Sequence, residues 1–232
     1  MPFPYILTAT SSPNPGQGAD DKVWVEWYTT EHLPDMVNSQ TASRACLYLE
    51  NYDSSSPDFE RPIRKFLAVY QTQFKECIKS PNYIHHVRRA SNLFTGGAAS
   101  KHGQFNDQYY SVTQYYNPRG LDESPSPSIM TVEFSPIDEN KFSKWFGEEY
   151  FGMFTKLPGY QRSTLCIAGP RSRTFKGEDP PKYFAIHECD DLNEFMKSYT
   201  NLMNTAPEAL DQLRNSKVHL VRAWNLVKSE GF

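Results

Sequence analysis

The 232-residue chain has no apolar run approaching the roughly 20 residues that cross a bilayer. It has no excess of positive charge either. Twenty-four Lys and Arg stand against 27 Asp and Glu, a net charge of −3, which excludes a nucleic-acid binder of the usual basic kind. Cysteine is scarce and dispersed: Cys46, Cys77, Cys166 and Cys189 form no Cys-x-x-Cys pair and no dense framework. Reduced, buried thiols in a cytoplasmic protein are therefore expected. The opening Met1-Pro2-Phe3-Pro4-Tyr5 lacks the charged and apolar regions of a secretory signal.

The glycine motifs of nucleotide chemistry are missing. Gly16-Gln17-Gly18 has no third glycine, and Gly96-Gly97 is not followed by Lys-Ser/Thr. No Gly-x-Ser-x-Gly elbow occurs. His85 and His86 are adjacent, so a helix points them apart, and no His-x-x-x-His pair exists to hold zinc. The short basic run His85-His86-Val87-Arg88-Arg89 reads as a solvated helix face. What the chain does have is aromatic mass: 4 Trp, 14 Tyr and 15 Phe make up 14 % of it, enough for a core and a flat apolar pocket. The length suits one large domain or two of about 100–120 residues.

The chain repeats itself. Shifted by 118 residues, Trp27 meets Trp145, Glu31 meets Glu149, Arg44 meets Arg162 and Leu47 meets Leu165. Without a gap, Ser54 then meets Ser172, Glu60 meets Glu178, Pro62 meets Pro180 and Phe66 meets Phe184. Strand-like segments open each half, at 5–10 and 128–134. Amphipathic helices follow near 21–38 and 138–156, then strands near 44–50 and 65–72, and near 162–168 and 182–189. Second helices fit 74–93, interrupted at Pro81, and 191–214, and final strands fit 108–117 and 217–227. This β-α-β-β-α-β order predicts two ferredoxin-like α+β repeats, 1–117 and 129–232, joined by a Pro- and Ser-rich linker at 118–128. Ser11–Gly18 and Asp53–Pro62 read as loops. A four-stranded sheet with helices on one side leaves its other face bare. Two such sheets can close an antiparallel, pseudo-dimeric barrel within one chain.

Trp27-Tyr28-x-x-Glu31-His32-x-Pro34, at the end of the first helix, resembles the Trp-Tyr and His-x-Pro signature of the EthD-like branch of the dimeric α+β barrel superfamily. Pro158-Gly159-Tyr160-Gln161-Arg162 is similar to the Pro-Gly-x-x-Arg turn of the same branch. The two signatures are split between the halves: the first reads Gln40-Thr41 in place of Pro-Gly, and the second has Tyr150 in place of His. The resemblance implies enzymes of specialised metabolism, among them cofactor-free monooxygenases, decarboxylases, cyclases, isomerases and dehydratases, together with haem-binding branches.

His32, beside Glu31, Pro34 and Asp35, is the first candidate acid/base; the competing reading is a helix-end imidazole that closes the turn. The final strands supply His219 and Tyr115 as further catalytic candidates. By alternation Tyr109, Ser111, Thr113 and Tyr115 share one face, as do His219, Val221, Ala223 and Asn225, with Val112 and Leu220 turned to the helices. The polar set, with Glu133 and His187, is expected to line the barrel interior beside Trp27 and Tyr28. Arg44 and Arg162 suit either an oxyanion ligand or ion pairs with Glu31 and Glu149. The resulting expectation is a cofactor-independent lyase, isomerase or cyclase acting on a hydrophobic, oxygenated small molecule, polyketide- or terpenoid-derived, with no metal, nucleic acid or membrane partner. The alternatives are an oxidative member, cofactor-free or haem-binding, and a non-catalytic binding protein. The pseudo-dimer leaves room for a further homodimer.

Overall fold

Runs of β-branched and aromatic residues become eight strands: β1 (Tyr5–Pro13), β2 (Arg44–Glu50), β3 (Phe66–Thr72), β4 (Gly103–Tyr116), β5 (Ser128–Phe134), β6 (Tyr160–Arg171), β7 (Tyr183–Cys189) and β8 (His219–Glu230). The computed structural model describes residues 3–14, 16–51, 64–172, 180–205, 211, 216 and 219–232. The strands hydrogen-bond in the order β1-β3-β2-β8-β5-β7-β6-β4, an antiparallel closed barrel in an α+β fold. Among the described residues the α-helices are α1 (Asp21–Trp27), α2 (Leu33–Asn38), α3 (Pro81–His86), α4 (Glu139–Trp145), α5 (Phe151–Phe154) and α6 (Leu192–Thr205).

The chain partitions into two compact units. The first holds Met1–Ser111, Gly169–Glu178 and Leu226–Phe232; the second holds Val112–Ala168 and Asp179–Asn225. The partition falls within β4, β6 and β8. In the first unit β1 lies between β3 and β4, with Leu7 opposite both Tyr70 and Tyr109. In the second, β5 lies between β7 and β8, with Met130 opposite both His187 and Ala223. Each arrangement is the central pairing of a ferredoxin-like sheet.

Each unit has its own aromatic core on the helix side. The first gathers Trp24, Trp27 and Tyr28 over Leu7, Ala9, Ala68 and Tyr70. Trp24 is fully buried, donates its indole N–H to Ser11 Oγ at 3.2 Å, and packs so closely on β4 that a Cβ at Gly103 would lie 2.1 Å from its ring. Only glycine fits there. The second core gathers Phe134, Phe142, Phe146, Tyr150, Phe154 and Phe195. Helix starts follow from local chemistry: Asp20 caps α1 through Val23 N at 2.9 Å, and Asp191 caps α6 through Glu194 N at 3.1 Å.

The expected helix over 74–93 is corrected. Pro81 opens α3 behind the Ser80 cap rather than interrupting a longer helix, and a 3-10 turn (Cys77–Lys79) precedes it. Helix α6 ends at Thr205 among the described residues; 206–210 and 212–215 lie outside them, as do the whole of the loop 53–62 and residues 217 and 218 of the last strand. Strands β1, β4 and β6 run longer than their periodicity predicted, because ladder pairing continues past the alternating residues. The linker stretch is pinned in place: the Arg162 guanidinium donates to the Asp122 and Ser124 carbonyls, and Asn117 bonds Leu121 through both its N–H and its oxygen.

Candidate functional site

The helix that carries His32 is not regular. Between α1 and α2 lies a π-helical turn, Tyr28–His32, in which Leu33 N–H reaches back five residues to Tyr28 O. Pro34 lacks the N–H that a regular α-turn would use, and the Thr29 and Thr30 hydroxyls satisfy the Val25 and Glu26 carbonyls at 2.8 and 2.7 Å. A second π turn, Phe146–Tyr150, lies between α4 and α5. The two are 118 residues apart, so the repeat extends to this local irregularity. Such turns rotate their last side chain out of α-helical register; here those side chains are His32 and Tyr150.

Below His32 lies the helix face of the first sheet. One cross-strand row reads Tyr109–Leu7–Tyr70–Ala45, and the next reads Asp107–Ala9–Ala68–Leu47. Ser11, one step further, is hydrogen-bonded to Tyr28 Oη at 3.1 Å. The floor beside the two tyrosines therefore carries the small side chains Ala9, Ala68 and Ser11, with Phe66 opposite Ser11. Tyr70 and Tyr109 are 1 % and 2 % exposed, and both hydroxyls lack a hydrogen-bond partner among the described residues.

His32 stacks on Trp27 with 4.7 Å between centroids and meets the Tyr70 ring edge-on at 6.0 Å. It makes no hydrogen bond among the described residues. Burial pushes it down to about 4 against the opposing pull of Asp35, so the imidazole is neutral at physiological pH. Burial likewise raises Tyr28, Tyr70 and Tyr109, with Asp107 pushing the same way, so all three phenols stay protonated donors. Asp35 and Glu31 are engaged by Arg88, which forks onto Asp35 at 2.7 and 2.9 Å and lies 4.0 Å from Glu31.

The second unit places the same pair the other way round. Tyr150 ends the π turn, and His187 occupies the strand position held by Tyr70 in the first unit. His187 is fully buried and satisfied at both nitrogens, by Ser163 Oγ at 2.7 Å and Tyr150 Oη at 3.2 Å. Tyr160 Oη extends the chain to Ser163 at 2.8 Å, and Phe154 stacks on the imidazole at 4.1 Å. Burial holds His187 down to about 3. The floor is filled: Val132 stands where the first unit has Ala9, Phe134 where it has Ser11, Val221 where it has Asp107, and Ala223 where it has Tyr109.

The expected single lining set is thus divided. Tyr109 and His187 lie on helix faces, each within its own unit, with Trp27 and Tyr28 over the first. Glu133 alternates with the core residues Val132 and Phe134, and so lies on the opposite face of the second sheet; burial raises its carboxyl, and Arg222 counters. The expected phase of β8 is reversed. Val221 and Ala223 pack against the helix-side core, while Leu220 is exposed, because the apolar demand of that core outweighs the polar pattern. His219 opens β8 opposite Phe134. Thr113 is exposed and bonds the Leu165 carbonyl at 3.1 Å; Ser111 and Tyr115 are half-buried. Burial raises Tyr115, with Arg162 opposing.

Arg162 pairs with Glu188 at 2.7 Å rather than with Glu149, while Glu31 pairs with Arg88; the cross-strand neighbour wins over the helix residue because the register sets it opposite. Arg44 lies over the Phe3 and Phe232 rings at 5.4 and 5.1 Å. Tyr70, Ser11, Asp107 and the Ala9/Ala68 floor went unread in the sequence. A one-residue change of offset between helix and strand, from 118 to 117, would have set Tyr70 against His187 and revealed the exchange.

Among solved structures, the chain matches an anthrone oxidase-like protein with a TM-score of 0.60 at 10 % identity, covering 97 % of this chain and 92 % of the other. A chlorite dismutase variant from Candidatus Nitrospira defluvii gives 0.56 at 11 %, covering 97 % and 91 %. The fold is that of the dimeric α+β barrel proteins. In sequence, the chain is 25 % identical over 182 residues to core atranone cluster protein 1 of Stachybotrys chlorohalonatus, covering 72 % of this chain and 74 % of the relative. No family model matches.

Proposed function

We propose that this chain is an enzyme of specialised metabolism that acts on a hydrophobic, oxygenated small molecule, with the helix face of the first unit as its active site and His32 as general base. The observation that carries the reading is a neutral imidazole without a hydrogen bond, set above two buried tyrosine hydroxyls that also lack partners. The relative named for a metabolite cluster supports the metabolic setting. The split His32–Pro34 and Pro158–Arg162 motifs support an EthD-like affinity.

The chemistry is proton transfer. His32 takes a proton from an acidic C–H or a phenolic O–H, leaving an imidazolium beside an enolate or phenolate. That new negative charge raises the imidazole above its resting value, so a base held at about 4 in the empty site becomes competent when the oxyanion forms. Tyrosine donors hold the oxyanion. Return of the proton to another carbon gives isomerisation, and its delivery to a β-hydroxyl, which departs as water as the carbon–carbon double bond forms, gives dehydration.

A second reading, oxidation, is favoured by the anthrone oxidase-like neighbour. The same electron-rich enolate can pass its electrons to dioxygen. Incubation with anthrone, followed by chromatography and an oxygen electrode, decides between them. Consumption of substrate without oxygen uptake supports the acid/base reading, and matched uptake supports oxidation. A Soret band in the purified protein would send attention to a haem-binding reading. In His32→Ala, turnover should fall about 10²- to 10⁴-fold with the circular dichroism unchanged. Full activity in that variant removes His32 from the mechanism.

A further inference from the structure

The two unpartnered hydroxyls have a common geometry. Tyr70 on β3 and Tyr109 on β4 both face Leu7 of the intervening β1, so they stand in one row, two strand spacings or about 10 Å apart at the backbone. Both side chains are buried on the same face, among the residues packed beneath α1 and α2. A buried hydroxyl without a partner is costly, because it has given up water and received nothing in exchange. Two stand in one row, next to the small side chains Ala9 and Ala68, whereas the second unit's unpartnered buried groups, the Trp145 indole N–H and the Tyr199 hydroxyl, lie on separate helices, α4 and α6. In the second unit the same row carries His187 and Ala223: the first is fully bonded and the second has no polar group to satisfy.

We infer that Tyr70 and Tyr109 form a two-donor ligand clamp, each giving its O–H to an acceptor oxygen (carbonyl, ether or quinone-type) of a flat, neutral ligand seated below His32. The inference rests on the first unit's helix face being the ligand site; it concerns positioning, not proton transfer. The hydroxyls are kept as donors by their burial beside Asp107. Such a clamp costs stability in the empty protein and returns it on binding, which a purely structural tyrosine would not do.

The test is a titration of tryptophan fluorescence with two probes of nearly the same shape, 9-fluorenone, which carries an acceptor carbonyl, and fluorene, which does not. Each is measured on the wild type, Tyr70→Phe, Tyr109→Phe and the double variant. Wild type is expected to prefer fluorenone. Each single variant should weaken fluorenone about 2- to 10-fold and leave fluorene within about twofold. Thermal midpoints of the unliganded single variants should equal or exceed that of wild type, since an unpaired hydroxyl is removed. Equal losses for both probes, unchanged fluorenone affinity, no binding of either probe by wild type, or a lowered midpoint without a binding effect would each overturn the clamp. Binding is read without turnover, so the two ideas fail separately. Clamp behaviour together with full activity of His32→Ala removes the base and keeps the clamp; loss of turnover in His32→Ala with no selectivity between probes does the reverse.

Discussion

The two halves of this chain hold the same two residue types at the same place and use them oppositely. In the first unit a histidine ends the π turn and a tyrosine stands on the strand beneath it; in the second the tyrosine ends the turn and the histidine stands on the strand. The exchange alone does not separate a site from a core. The neighbours do. Around His187 every polar atom of the chain Tyr160–Ser163–His187–Tyr150 has a partner, and Val132, Phe134 and Val221 fill the floor, while the Trp145 indole N–H and the Tyr199 hydroxyl at the edge of that core have none among the described residues. Around His32 the floor is Ala9, Ala68 and Ser11, and the tyrosine hydroxyls are left unpaired. A duplicated element can therefore keep its backbone irregularity in both copies while one copy is packed solid.

That contrast can be broken from either side. The largest effect belongs to Phe134→Ala, which empties the packed floor and should cost about 3–5 kcal/mol in urea denaturation. The matching Ser11→Ala in the first unit removes only the acceptor of Trp24 and the partner of Tyr28, about 1–3 kcal/mol. If the first change costs less than the second, the second unit is not the solid one.

Next is His187→Ala, which leaves the Tyr150 hydroxyl and one Ser163 contact without a partner and should cost about 2–4 kcal/mol. His32→Ala forfeits mainly its stacking on Trp27 and should cost about 1 kcal/mol. Chemical denaturation of the two variants side by side compares a buried, hydrogen-bonded histidine with a half-buried one that has no hydrogen-bond partner among the described residues. Ala9→Val copies the second unit's floor into the first. It should change stability by less than about 1 kcal/mol yet weaken fluorenone binding about tenfold, whereas overpacking of a filled core would cost about 1–3 kcal/mol with no such selectivity.

A further effect is in pH. Both histidines are held below their unfolded value, His32 to about 4 and His187 to about 3. Below about 6.5 the unfolded chain binds protons that the native chain refuses, so these groups lower stability as pH falls toward 4 and contribute nothing new above it. Denaturation midpoints at pH 7.5, 6 and 5 should fall in that order. His187→Phe should flatten the part of the slope that persists below pH 4. The acid limb of kcat/KM should lie near 4 rather than 6.5, with Asp35, Glu31 and Arg88 as the charged groups beside His32.

Much of the fold was legible because it is written in period and repetition. The alternation of β5 and the helix-end Trp27-Tyr28 pair, repeated at Trp145-Phe146, carried the α+β barrel. The turn at Pro158-Gly159 was also visible, and Gly159 does take a left-handed φ of +70°. In the first half Gln40 takes that conformation without glycine's freedom, at φ +58°, a feature with no signature in the residue pattern. The site was read only in part. His32 stood out by its residue type, and Tyr109 by its polar strand. Tyr70 did not, because in an apolar strand it looks like core and its lack of a partner is a three-dimensional fact. The polar strand residues were grouped by alternation within each strand, but facing is decided by which side the helices cover, and Val221 and Ala223 went to that side.

The measurement that bears most directly on the difference between the units is a crystal structure with 9-fluorenone bound. Electron density for the ligand is expected on the helix face of the first unit, with its carbonyl oxygen within hydrogen-bond distance of Tyr70 or Tyr109 and its ring near His32. Density in the second unit beside His187, or in the first unit away from both hydroxyls, would contradict it.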